Sequence, residues 1–591
     1  LETGIITEAE LAKAEGTAIE VFPAPNHLRE TTPYFTEEVR RELFERFDEK
    51  TLLEGGLEVH TTVDVERYRA AEDAVYEKLR LVDKRQGYRG PLAHYDGRAA
   101  REDFLARYTA ELERRGRAER LVEGELYVGL VERVNRRAKT IDLAIGPHRA
   151  VLPLIGMRWA REINPTVRFD AALLRRIPSS FQPGDVLLVR KSSQQDMEAR
   201  GLPERFVRDV PERAGVHVVL LEQEPALETA LLSVHNESGY VLALLGGYSF
   251  DRSEFNRATQ SCRQPGSSFK PVVYSAALVL LGWTPAHIVL DAALAFNDAS
   301  AQNRWKPSNF GGKFQGEVSL RYALQNSMNV PAIRVLDAVG LRDAIGWARH
   351  LGITTELRPE LCMALGASCV KMAELADVYR IFANGGVHVP RRLITRVVDR
   401  DGEVLFDQGW PGDPHAGVEL KLDRALTWTS SAADRRVEAN HSFLITKMLR
   451  NVVEGGTGRA ARSVGVPVAG KTGTTNDSFD AWFMGYTTEL TTAVWVGFDD
   501  YDQPMGRYEQ GGRAALPIWV NYMKAATKKR TRGFEPPEDI VFVTIDAKSG
   551  ERVAPGTPGS VEEAFIEGTE PEAPVAGPGE ATTDEFGLID Q

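Results

Sequence analysis

Two groups of strand-like segments enclose a long helical region, and this arrangement restricts the possible fold more than any other feature of the sequence. The predicted strands are 227–235, 240–245, 466–475, 479–486 and 491–498. The first two flank a polar turn at 236–239, and the region between the two groups, about 267–454, is mainly helical. Because strands from both ends of such a segment can pair into one sheet that carries the helices, we predict an α+β domain with an antiparallel sheet over residues 226–535.

A different pattern, short alternating strands separated by turn residues, occupies residues 87–225. The predicted strands are 126–134, 140–145, 150–154, 185–190 and 216–222. Five strands at this spacing are typical of a small OB-like β-barrel. Some barrels of this type bind nucleic acids, but the fold alone does not specify that function.

The remaining parts of the chain are predicted linkers and a tail. Four apolar residues recur at helical spacing near the N-terminus: Phe35, Val39, Leu43 and Phe47. A strand at 57–62 precedes an amphipathic helix that Asp64 caps and that runs to about residue 84. Pro, Gly and Glu become frequent after about 553, so we expect disorder from about 556. The predicted division is 1–55, 56–86, 87–225, 226–535 and 536–591.

The charge distribution argues against a nucleic-acid partner. The 591-residue chain has a net charge of −12, and nine of its acidic residues, with no Lys or Arg, lie in 556–591. The rest of the chain is therefore nearly neutral and lacks the basic excess that nucleic-acid binding requires.

The sequence also gives little reason to expect a metal, a cofactor or a membrane span. Three cysteines without C-x-x-C spacing and eleven scattered histidines predict no metal site, and we interpret the cysteines as small buried apolar groups. The long uncharged run 271–290 contains Gly282, Trp283 and Pro285, so we predict a core helix. Because the sequence begins at Leu1, we expect it to be a piece of a longer protein.

The first motif that could take part in catalysis is Ser267-Ser268-Phe269-Lys270, which follows a Pro-Gly turn and begins an apolar helix. Ser267 and Lys270 share one face of that helix, whereas Ser268 points about 200° away from Lys270, so Ser267 is the candidate nucleophile. Lys270 could serve as its base only if the lysine pKa fell by about three units, roughly 4 kcal/mol. A helix dipole supplies at most about 2 kcal/mol, so burial or a second cation must contribute. By itself S-x-x-K also fits a helix cap followed by an exposed lysine.

The second motif, Lys471-Thr472-Gly473-Thr474, supplies a candidate for that second cation. In a regular strand Lys471 and Gly473 point to one face, and Thr472 and Thr474 to the other. We therefore expect a bulge or strong twist if Lys471 and both threonine hydroxyls hold one ligand. An exposed edge strand is the alternative interpretation.

Residues 465–472 also match the phosphate-binding pattern G-x-x-x-x-G-K-[ST]. We reject a P-loop, because that motif requires a strand before its first glycine and a helix at its lysine. Here the strand-like residues lie between the glycines, and Pro467 removes an amide that would contact phosphate.

The third motif, Ser327-Met328-Asn329, lies between a short helix that Ser319 caps and a second helix that contains Pro331. Polar side chains at such a corner can project into a cleft. Taken alone, they would equally satisfy the ends of the two helices.

S-x-x-K, S-x-N and K-T-G in this order are the signature of penicillin-binding proteins and serine β-lactamases. The sequence resembles the bifunctional class A penicillin-binding proteins over most of residues 1 to about 530. Segments that carry this resemblance are 87–91, 255–260, 263–270, 305–310, 329–333 and 382–386. Residues 3–14 are similar to the end of the peptidoglycan glycosyltransferase module that precedes this region in the family. The resemblance thus implies a transpeptidase domain, an OB-like domain and a parent protein that is also a glycosyltransferase.

The resemblance implies a reaction as well as a fold. Its substrate is a peptidoglycan stem peptide ending in D-Ala-D-Ala, and an amine of a second stem is the acceptor. Ser267 is then the nucleophile, Lys270 the general base, and Ser327, between Lys270 and Lys471, a proton relay. The implied substrate-binding residues are Asn329, Thr472, Gly473 and Thr474, together with Lys471. Backbone N–H groups of Ser267 and Thr474 form the implied oxyanion hole, and no cofactor or metal is needed.

The resemblance leaves alternatives open. A D-Ala-D-Ala carboxypeptidase, and a sensor or scaffold that is acylated without turnover, have the same motifs. The E-x-x-L-N pattern that activates water in class A β-lactamases is absent, since the chain contains no Leu-Asn pair. Implied partners are β-lactam antibiotics and a cell-envelope regulator on the OB-like domain. The implied location is extracytoplasmic, with an N-terminal transmembrane anchor outside this sequence.

Overall fold

The structure, a computed structural model, describes residue 7 and residues 31–192, 216–295, 306–430, 434–527 and 531–573. Apart from Thr7, residues 3–14 lie outside these ranges, as do Trp305 and the end of the acidic tail, so the expectations for them are not described by the structure. In chain order the helices are α1 (Pro33–Arg46), α2 (Glu49–Glu54), α3 (Val65–Gln86), α4 (Arg98–Arg114), α5 (Leu154–Met157), α6 (Lys270–Leu280), α7 (Leu320–Gln325), α8 (Asn329–Val339), α9 (Leu341–His350), α10 (Met372–Ala383), α11 (Val418–Ser430), α12 (Ala439–Glu454) and α13 (Ala515–Ala526). The strands are β1 (Glu58–Thr61), β2 (Ala93–His94), β3 (Leu126–Asn135), β4 (Thr140–Ile145), β5 (His148–Pro153), β6 (Asp185–Lys191), β7 (Val216–Leu221), β8 (Glu228–His235), β9 (Val241–Leu245), β10 (Cys262–Arg263), β11 (Ile288–Asp291), β12 (Gly316–Ser319), β13 (Val370–Lys371), β14 (Val387–His388), β15 (Ile394–Val398), β16 (Val404–Asp407), β17 (Asp434–Arg435), β18 (Ala469–Thr474), β19 (Asp480–Tyr486), β20 (Leu490–Gly497), β21 (Ile540–Asp546) and β22 (Ser560–Ile566).

The largest domain is built on a five-stranded antiparallel sheet with strand order β18-β19-β20-β8-β9. The hairpin β8–β9 and the strands β18 to β20 come from the two ends of the helical region. The predicted α+β plan, an antiparallel sheet that carries helices, is confirmed.

Helices cover both faces of this sheet. Phe483 and Tyr486 lie three residues apart on β19, so their side chains point to opposite faces. The Phe483 ring lies 4.9 Å from the ring of Trp519 on α13. On the other face, the Tyr486 hydroxyl is hydrogen-bonded to Thr446 on α12. Every residue of β19 and β20 is buried, which explains why these strands are apolar on both sides.

Residues 88–226 contain a closed β-barrel. Strands pair in the order β6-β3-β4-β5-β7, and β6 also pairs with β7, so the ring is complete. Alternate residues of the strands, such as Val131, Leu143 and Leu187, fill its interior. The predicted small OB-like barrel is confirmed.

The barrel is joined to the larger domain around one buried carboxylate, Asp83, near the end of α3. Arg89 and the Gln223 amide donate to this carboxylate, and so does the backbone N–H of Ala226. The chain enters the barrel after residue 87 and leaves it near 222. Both crossings are therefore tied to the same side chain.

The C-terminal extension is ordered beyond the position that composition predicted. Strands β21 and β22 form an antiparallel hairpin, and Val543, Ile545 and Phe565 share a small core with Ala286. The predicted disorder from about 556 is wrong for residues 560–566. The Pro- and Gly-rich composition of 553–559 reflects the loop between the two strands, and β22 itself carries buried Ala564 and Phe565.

The helix in the uncharged run 271–290 is also shorter than predicted. Helix α6 ends at Leu280, Gly282 follows with φ +65°, and β11 begins at Ile288. The predicted helix is therefore correct only for its first half. In the described part of the chain, no helix has both the length and the apolar character needed to cross a membrane.

Two of the three cysteines form a disulfide, which corrects their interpretation as small buried apolar groups. Cys262 on β10 is bonded to Cys369, which precedes β13. These short strands pair with each other, so the bond fastens the segment before Ser267 to the start of the segment that leads into α10. The sequence offered three cysteines and no spacing that selects one pair.

Replacing both disulfide cysteines, Cys262→Ala with Cys369→Ala, is expected to lower the free energy of unfolding of this domain by about 3–5 kcal/mol. The two cysteines are 107 residues apart in sequence, so their bond closes a long loop and restricts the conformations of the unfolded chain. Tryptophan fluorescence during denaturant unfolding measures the change. Cys362→Ala, which removes the free cysteine, is the control. An unchanged midpoint in the double variant would contradict the expectation.

Candidate active site

The candidate nucleophile lies on a tight turn that packs against the edge of the sheet. Residues Gly266–Phe269 form a single 3₁₀ turn before α6. Ser267 is partly exposed, whereas Gly266, Ser268 and Phe269 are buried. The Ser268 hydroxyl donates to the Pro265 carbonyl. Of the two adjacent serines, Ser267 is therefore the accessible one.

Glycines allow this turn to approach its neighbours closely. A Cβ on Gly266, whose φ is +55°, would lie 2.5 Å from the Thr474 carbonyl oxygen of β18. A Cβ on Gly473 would lie 2.3 Å from the Pro265 carbonyl oxygen, and one on Gly366 would lie 2.2 Å from that of Gly266. Only glycine permits such contacts, so the turn bearing Ser267 is held against β18 at backbone distance.

Lys270, the first residue of α6, is fully buried and reaches the S-x-N corner. Its Nζ lies 2.7 Å from the Ser327 carbonyl oxygen, 3.0 Å from the Met328 carbonyl oxygen and 2.9 Å from Asn329 Oδ1, and in its neutral form it donates to two of the three at a time. The same Nζ lies 3.4 Å from Ser327 Oγ. The first and third motifs, 60 residues apart in sequence, therefore meet.

Ser327 occupies the corner in a left-handed conformation. Its φ is +55°, which is uncommon for a residue with a side chain and occurs often at functional sites. Backbone bonds from Ser327 N to the Leu324 carbonyl and from Met328 N to the Ala323 carbonyl fix this conformation. Lys471 Nζ donates to Ser327 Oγ at 2.8 Å. The Ser327 hydroxyl thus lies between the two lysines.

The two lysines share a buried environment that disfavours their protonated forms. Burial, and secondly the charge of Lys471, hold the pKa of Lys270 well below its ordinary value. Burial lowers the pKa of Lys471 to about 7. Lys471 is therefore the side chain placed to act as the expected second cation when it is protonated, although burial is the larger cause of the lowered pKa of Lys270. A neutral lysine can accept a proton from a serine hydroxyl.

Strand β18 is regular, so the bulge expected near Lys471 is absent. Residues 469–474 pair one-to-one with β19. The hydroxyls of Thr472 and Thr457 are hydrogen-bonded at 2.7 Å, and Thr474 Oγ1 accepts from the Gly511 N–H at 3.0 Å. The Thr474 hydroxyl keeps its proton available for a ligand.

Asn329 is held by residues that the motifs did not identify. Its side-chain amide donates to the Ser308 carbonyl, and its backbone N–H donates to Asn309 Oδ1. The Asn309 amide donates in turn to the buried carboxylate of Asp291. Asn309 therefore caps α8 from outside the helix. The only sequence signal for it was its place in the family-like segment 305–310.

Three further residues support the site without having been predicted. Tyr379 on α10 donates to the Ser268 carbonyl at 2.8 Å, and Thr457 and Gly511 contact the two threonines of β18. Their partners are backbone atoms or small hydroxyls at large sequence separations. No local pattern could have identified them.

Comparisons with known proteins agree with this geometry. The model of the penicillin binding protein transpeptidase domain matches residues 229–524, half of the chain. The chain belongs to the penicillin-binding transpeptidase family. The penicillin-binding protein OB-like domain matches 88–226, and the penicillin-binding protein 1A C-terminal domain matches 536–574. This combination is that of a class A, 1A-like penicillin-binding protein, as the three motifs suggested.

Individual proteins with similar sequences carry the name penicillin-binding protein 1A. Penicillin-binding protein 1A of Pseudomonas aeruginosa is 35% identical over 565 residues, which cover 90% of this chain and 64% of the relative. That of Neisseria gonorrhoeae is 31% identical over 547 residues, covering 92% and 61%. The chain therefore spans less than two thirds of the length of these relatives.

Solved structures support the fold. Penicillin-binding protein 1A from Haemophilus influenzae has a TM-score of 0.75 at 28% identity, covering 97% of this chain and 81% of that one. PonA1 from Mycobacterium tuberculosis in complex with penicillin V has a TM-score of 0.51 at 21% identity, covering 85% and 94%.

The pH dependence of penicillin acylation tests the lysine pair. If neutral Lys270 is the base, lowering the pH protonates it and slows acylation, and the rate rises through the depressed pKa of Lys270 to a plateau. We expect that rise well below the pH at which an ordinary lysine titrates. Stopped-flow acylation from pH 5 to 10 measures it.

Lys471→Met should move that rise to higher pH, because removing the neighbouring positive charge raises the pKa of Lys270. The pH at the midpoint of the rise is compared between the variant and the wild type, independently of any change in the maximal acylation rate. A midpoint that stays in place or moves downward would contradict the proposed coupling.

Proposed function

We propose that this domain is a serine-type D-Ala-D-Ala transpeptidase that cross-links peptidoglycan stem peptides through an acyl-enzyme on Ser267, and that β-lactams acylate the same hydroxyl. The observation that supports this most strongly is the convergence of two buried lysines on the Ser327 hydroxyl. Lys270 lies one turn after Ser267, and all three motifs contribute to the arrangement.

In the first step Ser267 Oγ attacks the carbonyl carbon of the penultimate D-Ala, and its proton passes to neutral Lys270. The C–N bond to the terminal D-Ala then breaks. Ser327, which contacts both lysine Nζ atoms, delivers a proton to the departing amine and takes up the proton that Lys270 received from Ser267. In the second step an amine of a neighbouring stem attacks the ester carbonyl carbon, the C–O bond to Ser267 breaks, and the proton lost by the amine goes to Ser267 Oγ.

The substrate-binding roles follow the same geometry. Backbone N–H groups of Ser267 and Thr474 are the proposed oxyanion hole, supported by the close contact of the Ser267 turn with β18. Removing one such donor typically raises the barrier by about 3 kcal/mol. Thr472 and Thr474, on one face of the regular strand β18, are proposed to bind the terminal carboxylate, where Gly473 leaves room, and Asn329 to bind the peptide amide. Lys471 lies on the other face, bonded to Ser327 Oγ, and is proposed to join them in binding the carboxylate through a twist of the strand.

Three features of the whole protein remain part of the proposal. We infer an extracytoplasmic location on the periplasmic side of the membrane, with an anchor outside this sequence. We also infer a parent with peptidoglycan glycosyltransferase activity, and a cell-envelope regulator that binds the OB-like barrel. The resemblance to class A proteins and the partial coverage of the relatives support these inferences.

Ser267→Ala should abolish covalent labelling by penicillin, because the hydroxyl that forms the ester is gone. Intact-protein mass spectrometry with peptide mapping should find one adduct in the wild type, on Ser267. Ser268→Ala is the matched control: it removes a buried hydroxyl that donates to Pro265, and labelling should persist. An adduct retained in Ser267→Ala would refute the assignment.

A cross-linking assay separates the transpeptidase from its alternatives. Incubation with a D-Ala-D-Ala donor and an amine acceptor stem should release D-Ala and produce dimeric muropeptide. Release of D-Ala without dimer would favour a carboxypeptidase. Acylation without either product would favour a sensor or scaffold.

A further inference from the structure

We propose that the C-terminal hairpin β21–β22 positions Ser327 for proton transfer, by clamping α7 through the ion pair between Glu563 and Arg321. The inference deepens the proposed function and rests on it, since it concerns the proposed proton relay. Glu563 and Arg321 are positioning residues, and Ser327 is the group they act through.

The clamp is centred on a carboxylate with no access to solvent. Glu563 on β22 is 0% exposed, and Arg321 Nε lies 2.7 Å from Glu563 Oε2. The Asn451 amide on α12 donates to the same oxygen at 3.0 Å. Burial raises the pKa of Glu563, while Arg321 opposes this rise, as does Lys447 more weakly. Since both side chains are buried, losing Glu563 would leave the Arg321 charge without its carboxylate in a site shielded from water.

A second set of bonds holds the beginning of α7. The Ser319 N–H donates to the Lys548 carbonyl at 2.6 Å, and its hydroxyl donates to the Ala547 carbonyl at 2.7 Å. The same hydroxyl accepts from the Tyr322 N–H and so caps α7, as predicted from the sequence. The turn after β21 is therefore hydrogen-bonded to the N-cap residue of α7, and β22 is ion-paired with the first turn of the same helix.

Helix α7 transmits this restraint over a short distance. From Arg321 to Ser327 is six residues, about 9 Å along a helix. Ser327 N donates to Leu324 and Met328 N to Ala323, so the S-x-N corner is bonded directly to the last turn of α7. Displacement of α7 would therefore displace the Ser327 hydroxyl.

The two lysines belong to other elements, and apart from α7 the hairpin reaches those elements through α12, whose Asn451 bonds Glu563 and which packs on β18 and α6. Lys471 belongs to β18 of the central sheet, and Lys270 begins α6 behind the Ser267 turn. Within the described ranges, no hydrogen bond or ion pair joins the hairpin to Ser267, Lys270 or Lys471. Loosening the hairpin should thus change the position of Ser327 relative to both lysines, where distances of 2.8 and 3.4 Å matter.

The principal test is Glu563→Gln, which keeps the side-chain shape and removes the charge. Acylation by a slowly reacting penicillin is resolved into the reversible binding constant and the first-order acylation rate constant. We expect the rate constant to fall at least tenfold and the binding constant to stay within twofold. An equal loss of binding affinity and of acylation rate constant, or an unchanged acylation rate constant in folded protein, would overturn the proposal.

A double-mutant cycle tests whether the effect passes through Ser327. In a Ser327→Ala background, adding Glu563→Gln should produce no further loss of acylation, measured by mass spectrometry over long incubations. A further loss of the same size as in the wild type would show a general structural effect and overturn the proposal. If Ser327→Ala leaves no measurable acylation, the test is whether Glu563→Gln lowers the acylation rate constant without changing the binding constant.

Four companion variants separate positioning from stability. Asn440→Ala removes an exposed bond between α12 and Asp539, just before the hairpin, and should leave acylation unchanged. Arg321→Lys keeps a cation and should retain more acylation than Arg321→Met. Thermal unfolding is followed for each, and if Glu563→Gln is unfolded at the assay temperature, Ser319→Ala is tested for the same rate-specific loss. A loss of acylation in Asn440→Ala equal to that in Glu563→Gln would overturn the proposal.

The outcomes also distinguish this inference from the function on which it rests. Absence of a Ser267 adduct in the wild type would refute the proposed function. A wild-type Ser267 adduct, together with a normal acylation rate constant in folded Glu563→Gln, would refute only the role of the hairpin.

Discussion

Two buried lysines share one serine hydroxyl, and the chemistry of the site depends on this contact. Water would stabilise both ammonium groups, whereas a closed environment with two like charges favours a neutral base. Lys270 is fully buried and Lys471 has a pKa near 7 for the same reason. The surrounding fold must therefore exclude solvent from two lysines while leaving Ser267 accessible. Burial of charged residues, usually unfavourable, is here what makes a lysine usable as a base.

The scaffold meets this requirement mainly through backbone contacts. Gly266 and Gly473 let the nucleophile turn lie directly on β18, and Ser327 accepts a left-handed conformation that its own neighbours impose. The disulfide at Cys262 restrains the chain five residues before the nucleophile. The C-terminal hairpin adds restraint from the opposite direction, on the helix that precedes Ser327. Each motif is therefore held by a different part of the molecule, and the site exists only where those parts meet.

Sequence reasoning succeeded where short-range chemistry determines structure. Alternating apolar strands predicted the sheet and the barrel, and caps such as Asp64 and Ser319 form as expected. It failed where long-range pairing or composition decided the outcome. The Cys262–Cys369 bond and the Arg321–Glu563 pair join residues more than 100 positions apart. Composition after 553 indicated disorder because a Pro- and Gly-rich loop masked the seven-residue strand behind it. The bulge expected if Lys471 and both threonine hydroxyls held one ligand is absent from β18, which pairs one-to-one with β19.

The single carboxylate at the base of the barrel has a mechanical consequence. Asp83 fastens both passages of the chain between the barrel and α3, and α3 packs along the sheet beside α13. A single linker between two domains can rotate freely, whereas two crossings bonded to the same buried carboxylate cannot separate without breaking those hydrogen bonds. Displacing the barrel therefore either breaks these bonds or moves α3 with it.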